Sequence, residues 1–337
     1  MLVCCLLVGC TSGKKSEEVK VLQLNLWHGT NTVPEGFKGL VSIIDQTDPD
    51  IVLLCEVNNH NNRDFISRLT DTLQVLGKTY YGHPTQQSTG IISKYPSDNQ
   101  QTCCYPDGKG PITKAYISIK DKTFAVYSAH LDYRHYECYL PRGYSGATWE
   151  KIDAPVTNPD SVLKANRISQ RDEAIAAFTE DAKAEIAKGH LVLIGGDFNE
   201  PSHLDWQADT KDLRDHNGAI INWDCSVMLQ EMGMIDTYRK IYPDAVKYPG
   251  FTFPSPNKHV EMKKLTWAPE VDERDRIDFV YYYPDASLTL VDAKIVGPSG
   301  SIIRSKEVGN DSSDTFIEPK GIWPTDHKGN FVIFKID

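Results

Sequence analysis

Basic charge is what this sequence is short of. Its 36 Lys and Arg are outnumbered by 46 Asp and Glu, giving a net charge of −10 over 337 residues. Grip on duplex nucleic acid without sequence preference comes mainly from neutralising phosphates, so this balance makes nucleic acid a second-choice partner. Nor is there an apolar run near the roughly 20 residues that a membrane-spanning helix needs. The eight cysteines form no CxxC pair and no zinc-like grouping. No internal repeat, low-complexity tract or long linker follows residue 20.

The apolar start, "MLVCCLLVGC", is too short to span a bilayer but ends in "LVGC", which resembles a bacterial lipobox. That reading makes residues 1–9 a signal peptide without the usual preceding basic residue and 10–18 a tether. Cys10 then carries a lipid, and the protein is exported and anchored to a bacterial envelope membrane. Beyond this leader, Cys55, Cys103, Cys104, Cys138 and Cys225 remain, an odd number. Export would permit a disulfide between Cys138 and Cys103 or Cys104; free buried thiols are the equal alternative.

From residue 19 onward the chain reads as one α/β domain. Runs such as "VKVLQLNLW", "DIVLLCE", "FAVYSAHLD", "LVLIGGDF" and "RIDFVYYY" are rich in β-branched and aromatic residues and bounded by turn formers. Helical patterns lie between them: 37–48, a stretch ending at Gly77, a long one over 161–188 with Ile168, Ile175, Phe178, Ala182 and Ile186 as its stripe, and one over 224–240. The alternation is too irregular for a doubly wound sheet. Two sheets packed face to face with helices outside account for so many strands. Two connections, 133–160 and 249–275, exceed ordinary loop lengths and carry many aromatics, which marks them as ordered and functional.

Several strands deliver polar side chains at their ends. These are Asn25 in "LNLW", Glu56 in "LLCE", His130 in "SAHLD", Asp197 and Asn199 in "GGDFN", and Asp278 in "RIDF"; Asp326 and His327 follow in "TDH". Each alone reads as a turn or cap residue. Buried separately and unpaired, each would cost about 1–3 kcal/mol. Gathered around a cation they gain partners and a use. A hard ion such as Mg²⁺ takes one or two carboxylates and keeps several waters. Cleaving a phosphoester then requires charge neutralisation, an in-line water and a proton source. Histidine, carboxylate and carboxamide groups supply these.

The ordered series "LNLW", "CE", "AHLD", "GGDFN", "RIDFVY" and "TDH" resembles the endonuclease/exonuclease/phosphatase superfamily, over about residues 19–337. The superfamily includes deoxyribonuclease I, exonuclease III, neutral sphingomyelinases and inositol-polyphosphate 5-phosphatases. The resemblance implies a four-layer α-β-β-α sandwich of two mixed sheets, a divalent metal (Mg²⁺, with Mn²⁺ as a substitute), and a site at one end of the sandwich. It implies Glu56 as principal metal ligand, supported by Asn25, with Asp326 beside the metal. His130 would contact phosphate and protonate the leaving group. Asp197 would position or deprotonate water, which Asn199 orients, and Asp278 would pair with His327 as an indispensable couple. Cys55 departs from the Gln that many members carry.

The superfamily leaves the substrate open. His28, His203, Trp206 and the 133–160 insertion are the residues left for substrate binding, with Arg134 or Arg142 gripping a second anionic group and aromatics packing on a ring. The acidic balance favours a small or membrane-derived phosphate (sugar phosphate, inositol phosphate or phospholipid headgroup) over DNA or RNA, and a monomer is expected. Two other classes fare worse. Calcineurin-like metallophosphoesterases need DxH, GNH[DE] and GHxH, and none occurs. A non-catalytic surface lipoprotein would have eroded the catalytic positions, which are all present.

Overall fold

The computed structural model describes residues 16–59, 64–104 and 110–337; the expected signal peptide and Cys10 lie outside them. Strands and helices are numbered in chain order. One sheet holds β1 (Glu17–Asn25), β2 (Ile51–Cys55), β3 (Tyr81–Gly82), β4 (Thr89–Ser93), β11 (Leu288–Val296), β14 (Phe316–Ile317) and β15 (Gly329–Ile336), in the order β14-β11-β15-β1-β2-β4-β3. The other holds β5 (Ser97–Cys104), β6 (Pro111–Ile119), β7 (Lys122–His130), β8 (Leu191–Asp197), β9 (Ile235–Asp236) and β10 (Asp278–Tyr282), in the order β5-β6-β7-β8-β10-β9. A hairpin of β12 (Ser301–Ile303) and β13 (Lys306–Val308) stands apart. Both sheets are mixed: β1–β2 and β7–β8 run parallel, while most other pairs are antiparallel.

Strand alternation explains the layers. Val19, Val21, Ile51 and Leu53 of the first sheet meet Ala115, Ile117, Val126 and Leu193 of the second in the central core. The residues between them, Leu22, Leu24, Val52 and Leu54, face outward under α1 (Gly36–Thr47) and α2 (Phe65–Val75). On the far side, Ala125, Tyr127, Val192 and Ile194 are covered by α4 (Arg171–Ala187) and α5 (Asp224–Glu231). Successive side chains of a strand point to opposite faces, so a strand covered on both sides reads as a continuous apolar run. The four-layer α-β-β-α sandwich is the observed architecture.

Three expectations need correction. The helix expected over 161–188 is broken into α3 (Pro159–Asn166), a short turn at Arg167–Ser169, and α4. Gln170 adopts a left-handed backbone, φ 67°, and leaves Ile168 60% exposed. The break turns Arg171 inward, where its guanidinium donates to the carbonyls of Asp132, Arg134 and His135. The helix expected over 224–240 likewise stops at Glu231, and a separate α6 (Thr237–Ile241) follows, capped by the Asp236 carboxylate. Third, strand β1 begins at Glu17, within the expected tether. Of the two alternatives left open for Cys138 the structure shows the free buried thiol, and Cys103 is free and exposed.

Candidate active site

Register brings the polar strand ends together. His130 pairs with Asp197 across β7–β8, and Asp197 pairs with Asp278 across β8–β10, so the three occupy one row at the end of their sheet. In the facing sheet Asn25 is level with Cys55, and Glu56 follows at once with a left-handed backbone, φ 54°. Asn25 links the two sheets. Its amide nitrogen donates to Glu56 Oε1 at 3.1 Å and to Asp197 Oδ2 at 2.9 Å, while its oxygen accepts from the Trp27 backbone. Asn25 is fully buried and stands behind the carboxylates.

His327 Nδ1 lies 2.8 Å from Asp278 Oδ2, and its Nε2 lies 3.8 Å from Asp197 Oδ2. Burial opposes charging this ring, but Asp278 and Asp197 outweigh it and hold its pKa well above the usual histidine range. Asp278 is itself fixed: its Oδ1 accepts from Gln23 Nε2 at 3.0 Å, and its backbone N–H donates to Thr252 Oγ1. Burial, reinforced by the neighbouring Asp278, pushes Asp197 up to about 6. Asn199, at φ 47°, donates its backbone N–H to Asp197 Oδ1 and its amide to the Leu131 carbonyl. His130 Nδ1 lies 2.9 Å from Ser88 Oγ.

Besides Asp197, two carboxylates face a cavity of about 520 Å³, together with His130, Asn199 and His327. The first, Glu56, accepts the His28 backbone N–H at 2.7 Å. Burial opposes its ionisation, yet His130 and that N–H hold its carboxyl below the usual range. The second, Asp326, is pushed up to about 7 by burial, with Glu56 adding repulsion. Two acids sharing a wall in this way suit a divalent cation, which would relieve both. Ligand atoms of Asp197, Asp278 and His327 also lie within 4.8 Å of one another. Asp278, however, is shut away from the cavity and already holds His327 and Gln23, so Glu56 and Asp326 are the better donors.

The expected substrate residues divide. Exposed His28 lines the cavity, as do Tyr133, Tyr136 and Trp149 of the insertion. Arg134 does not: its guanidinium is taken bidentately by Asp132. Arg142 is buried and paired with Asp275, and it also donates to the carbonyls of Cys138 and Arg274. Trp206 is fully buried, donates to Asp275, and stacks on His216 at 3.6 Å. His203 is held between Ser226 and Gln230, away from the cavity. All four therefore serve packing or loop structure.

Sequence reasoning also missed residues. Gln23 shares strand parity with Asn25, which was the available signal. Ser88 comes from a loop and left none, whereas Thr252, Phe253 and Trp267 lie in the 249–275 connection, whose length and aromatics were the signal. Cys55 packs directly behind the site: its thiol donates to the Ala129 carbonyl at 3.0 Å and accepts the Asp197 N–H at 3.2 Å.

Comparison with known proteins agrees with this geometry. The profile of the Endonuclease/Exonuclease/phosphatase family matches residues 22–327. The chain belongs to that family, whose enzymes are phosphoesterase-type hydrolases dependent on divalent metals. It is 26% identical to an uncharacterized Caenorhabditis elegans protein over 81% of each chain. It is also 21% identical to an inositol phosphosphingolipids phospholipase C of Schizosaccharomyces pombe, covering 85% of this chain and 64% of that one. Solved structures share the fold. D. rerio TDP2 complexed with a single-strand DNA product superposes with TM-score 0.54 at 15% identity, over 94% of this chain and 98% of that one. The human Nocturnin catalytic domain with bound sulfate gives 0.54 at 12% identity, over 95% of each. No helix among the described residues is long and apolar enough to cross a membrane.

Proposed function

We propose that this chain hydrolyses phosphoester bonds of small or membrane-derived phosphates, using Mg²⁺ or Mn²⁺ held by Glu56 and Asp326 with Asn25 in support. When bound, such a cation supplies charge neutralisation at the phosphate oxygens. The observation that carries the reading is the cavity wall. Aromatic rings share the wall with the carboxylates and imidazoles, and no Lys or Arg is among the described lining residues. A polyanionic strand would find no row of Lys or Arg there to replace its counterions. The match to a phosphosphingolipid phospholipase C supports a headgroup phosphate, with nucleic acid as second reading.

The residues take these roles. Asp197 and Asn199 orient the attacking water. His130, steadied by Ser88, faces the phosphate and protonates the leaving oxygen. His327, held charged by Asp278, stabilises negative charge developing on phosphorus oxygens. The "LVGC" leader supports export and lipid attachment at Cys10, which mass spectrometry of Cys10→Ser in the native host would test through loss of a lipid mass.

A substrate panel tests the hydrolase reading: sugar phosphates, inositol phosphates, sphingomyelin, phosphatidylinositol and DNA, with Mg²⁺ or Mn²⁺, beside His327→Ala. Hydrolysis of a small or headgroup phosphate, lost in the variant, is expected. Faster cleavage of DNA would reverse the ranking, and equal activity of variant and parent would remove the mechanism.

A further inference from the structure

We propose that the aromatic side of the cavity receives an alkylated ammonium group, so that the preferred substrate is a zwitterionic phosphoester. This rests on the hydrolase reading above and adds the chemistry of the part of the substrate that is not phosphate.

Three relationships lead there. The first is the angles between the rings. Tyr136 and Tyr139 have centroids 4.9 Å apart at 81°, Tyr139 and Trp149 are 5.8 Å apart at 80°, and Trp149 and Trp267 are 5.4 Å apart at 42°. Tyr136 and Tyr139, 4% and 0% exposed, form the buried backing of the cavity wall, and Trp149 and Trp267 stand in front of them with inclined faces, beside exposed Tyr133. A flat base or sugar ring is gripped best by parallel faces, whereas rings turned through several directions suit a compact, rounded group. The faces of aromatic rings carry negative potential and attract a cation lying over them.

The second relationship is charge. The described lining residues include the acids Glu56, Asp197 and Asp326 and no Lys or Arg. The two arginines nearest in sequence to this wall are committed elsewhere, Arg134 to Asp132 and Arg142 to Asp275. A second anionic group on the substrate would therefore meet no Lys or Arg here, while a cation would meet the faces of the rings.

The third is exposure. Tyr133 and Trp267 are 58% and 48% exposed although both line the cavity. They come from different long connections, 133–160 and 249–275, which converge at Trp149 and Trp267. Large aromatics left open to water at the mouth of a catalytic cavity are accounted for when a ligand covers them. A cavity of about 520 Å³ falls within the roughly 300–1,000 Å³ of ordinary ligand pockets, enough for a headgroup beside the phosphate.

The test compares two diesters of the same shape on the parent enzyme with Mg²⁺: p-nitrophenyl phosphocholine and its carbon isostere lacking the ammonium charge, p-nitrophenyl 3,3-dimethylbutyl phosphate. A p-nitrophenyl glucosyl phosphodiester is the third arm. The zwitterionic ester should be cleaved with kcat/KM about ten-fold or more above the isostere, in the range of a desolvated cation–π contact. Trp267→Ala should bring that ratio close to one, and Trp267→Phe should retain most of it. Equal rates for the two isosteres, or a higher rate for the glucosyl ester, would overturn the proposal. If the parent fails even on bis(p-nitrophenyl) phosphate, the hydrolase reading is the one that falls. The receptor is then decided by tryptophan fluorescence: saturable quenching by tetramethylammonium chloride, absent with equimolar sodium chloride, supports it, and identical responses refute it.

Discussion

Asp278 Oδ2 sits 2.8 Å from His327 Nδ1, and the two residues come from β10 and from the loop just before β15. The bond fixes which ring nitrogen faces the carboxylate and leaves Nε2 turned toward Asp197. Because Asp278 is buried and anchored by Gln23 and Thr252, it cannot follow the ring if the loop moves. The pair thus holds the orientation of the imidazole and its charge together.

Asp278→Asn should therefore lower kcat by about 10²–10⁴-fold, the usual range for a positioned acid–base group. The limb of the pH–rate profile that belongs to His327 should also move down toward the ordinary histidine value. The stability effect has a defined sign. With its folded pKa raised, His327 contributes stability that is fully present below the unfolded value near 6.5 and is lost as pH rises through the folded one. Urea denaturation of parent and Asp278→Asn should thus differ most at acid to neutral pH and converge on the alkaline side. An unchanged kcat would remove the couple from the mechanism.

The two raised carboxyls predict a slope of the same sign in a lower pH window. Asp197 is pushed up to about 6 and Asp326 to about 7. Between an unfolded value near 4 and those folded values, the native state binds more protons than the unfolded chain, so stability falls as pH rises through that window. Metal-stripped protein should show a melting temperature that drops between about pH 4 and pH 7. Added Mg²⁺ should raise it more at pH 7.5 than at pH 5, where protons compete for the same oxygens. Asp326→Asn should flatten the decline, and scanning calorimetry at fixed ionic strength reads all three.

Much of this site was legible because strand alternation and turn chemistry leave traces in sequence. Asn25, Glu56, His130 and Asp197 close apolar runs and Asp278 opens one, and a sandwich must gather such ends. The arginines show where that reasoning stops. Arg142 and Arg134 lie in the same insertion with equal promise, and only the fold reveals Asp275 waiting for one and Asp132 for the other. Partners 133 positions away in sequence, as for Arg142, leave no local signal. Likewise the Gln170 break was invisible because the helical periodicity continues through it, while Arg171 has tertiary partners that override local propensity.

The two arginines should now separate by experiment. Arg142 is paired with Asp275 in the interior, and removing one member of a buried ion pair typically costs about 3–5 kcal/mol because the other charge is left alone. Arg134 is partly exposed, and a surface pair is worth about 0–1 kcal/mol. Denaturant titration of Arg142→Ala should show that large loss, or no soluble protein at all, while Arg134→Ala stays within about 1 kcal/mol of the parent. Neither should behave as a selective defect in KM. A raised KM in a fully stable Arg134→Ala would return that residue to substrate binding.

The glycines of "GGDFN" carry a structural demand that the catalytic reading hides. A Cβ on Gly196 would lie 1.8 Å from the Ala129 carbonyl oxygen, on the strand that ends in His130. Relief would require β7 and β8 to separate, because the clash is with backbone. That separation would move His130 away from its rung partner Asp197, and it would strain the Cys55 thiol bridging Ala129 to the Asp197 N–H. A Cβ on Gly309, by contrast, meets nothing within 4 Å. Gly196→Ala should thus destabilise by about 3 kcal/mol or more, beyond ordinary overpacking. Any protein that folds should lose hydrolysis more than its folded fraction explains, with Gly309→Ala unchanged in both respects. Chemical denaturation and active-site activity measured on the same preparations would show it. Full activity in a folded Gly196→Ala would mean that the β7–β8 contact does not set the distance between His130 and Asp197.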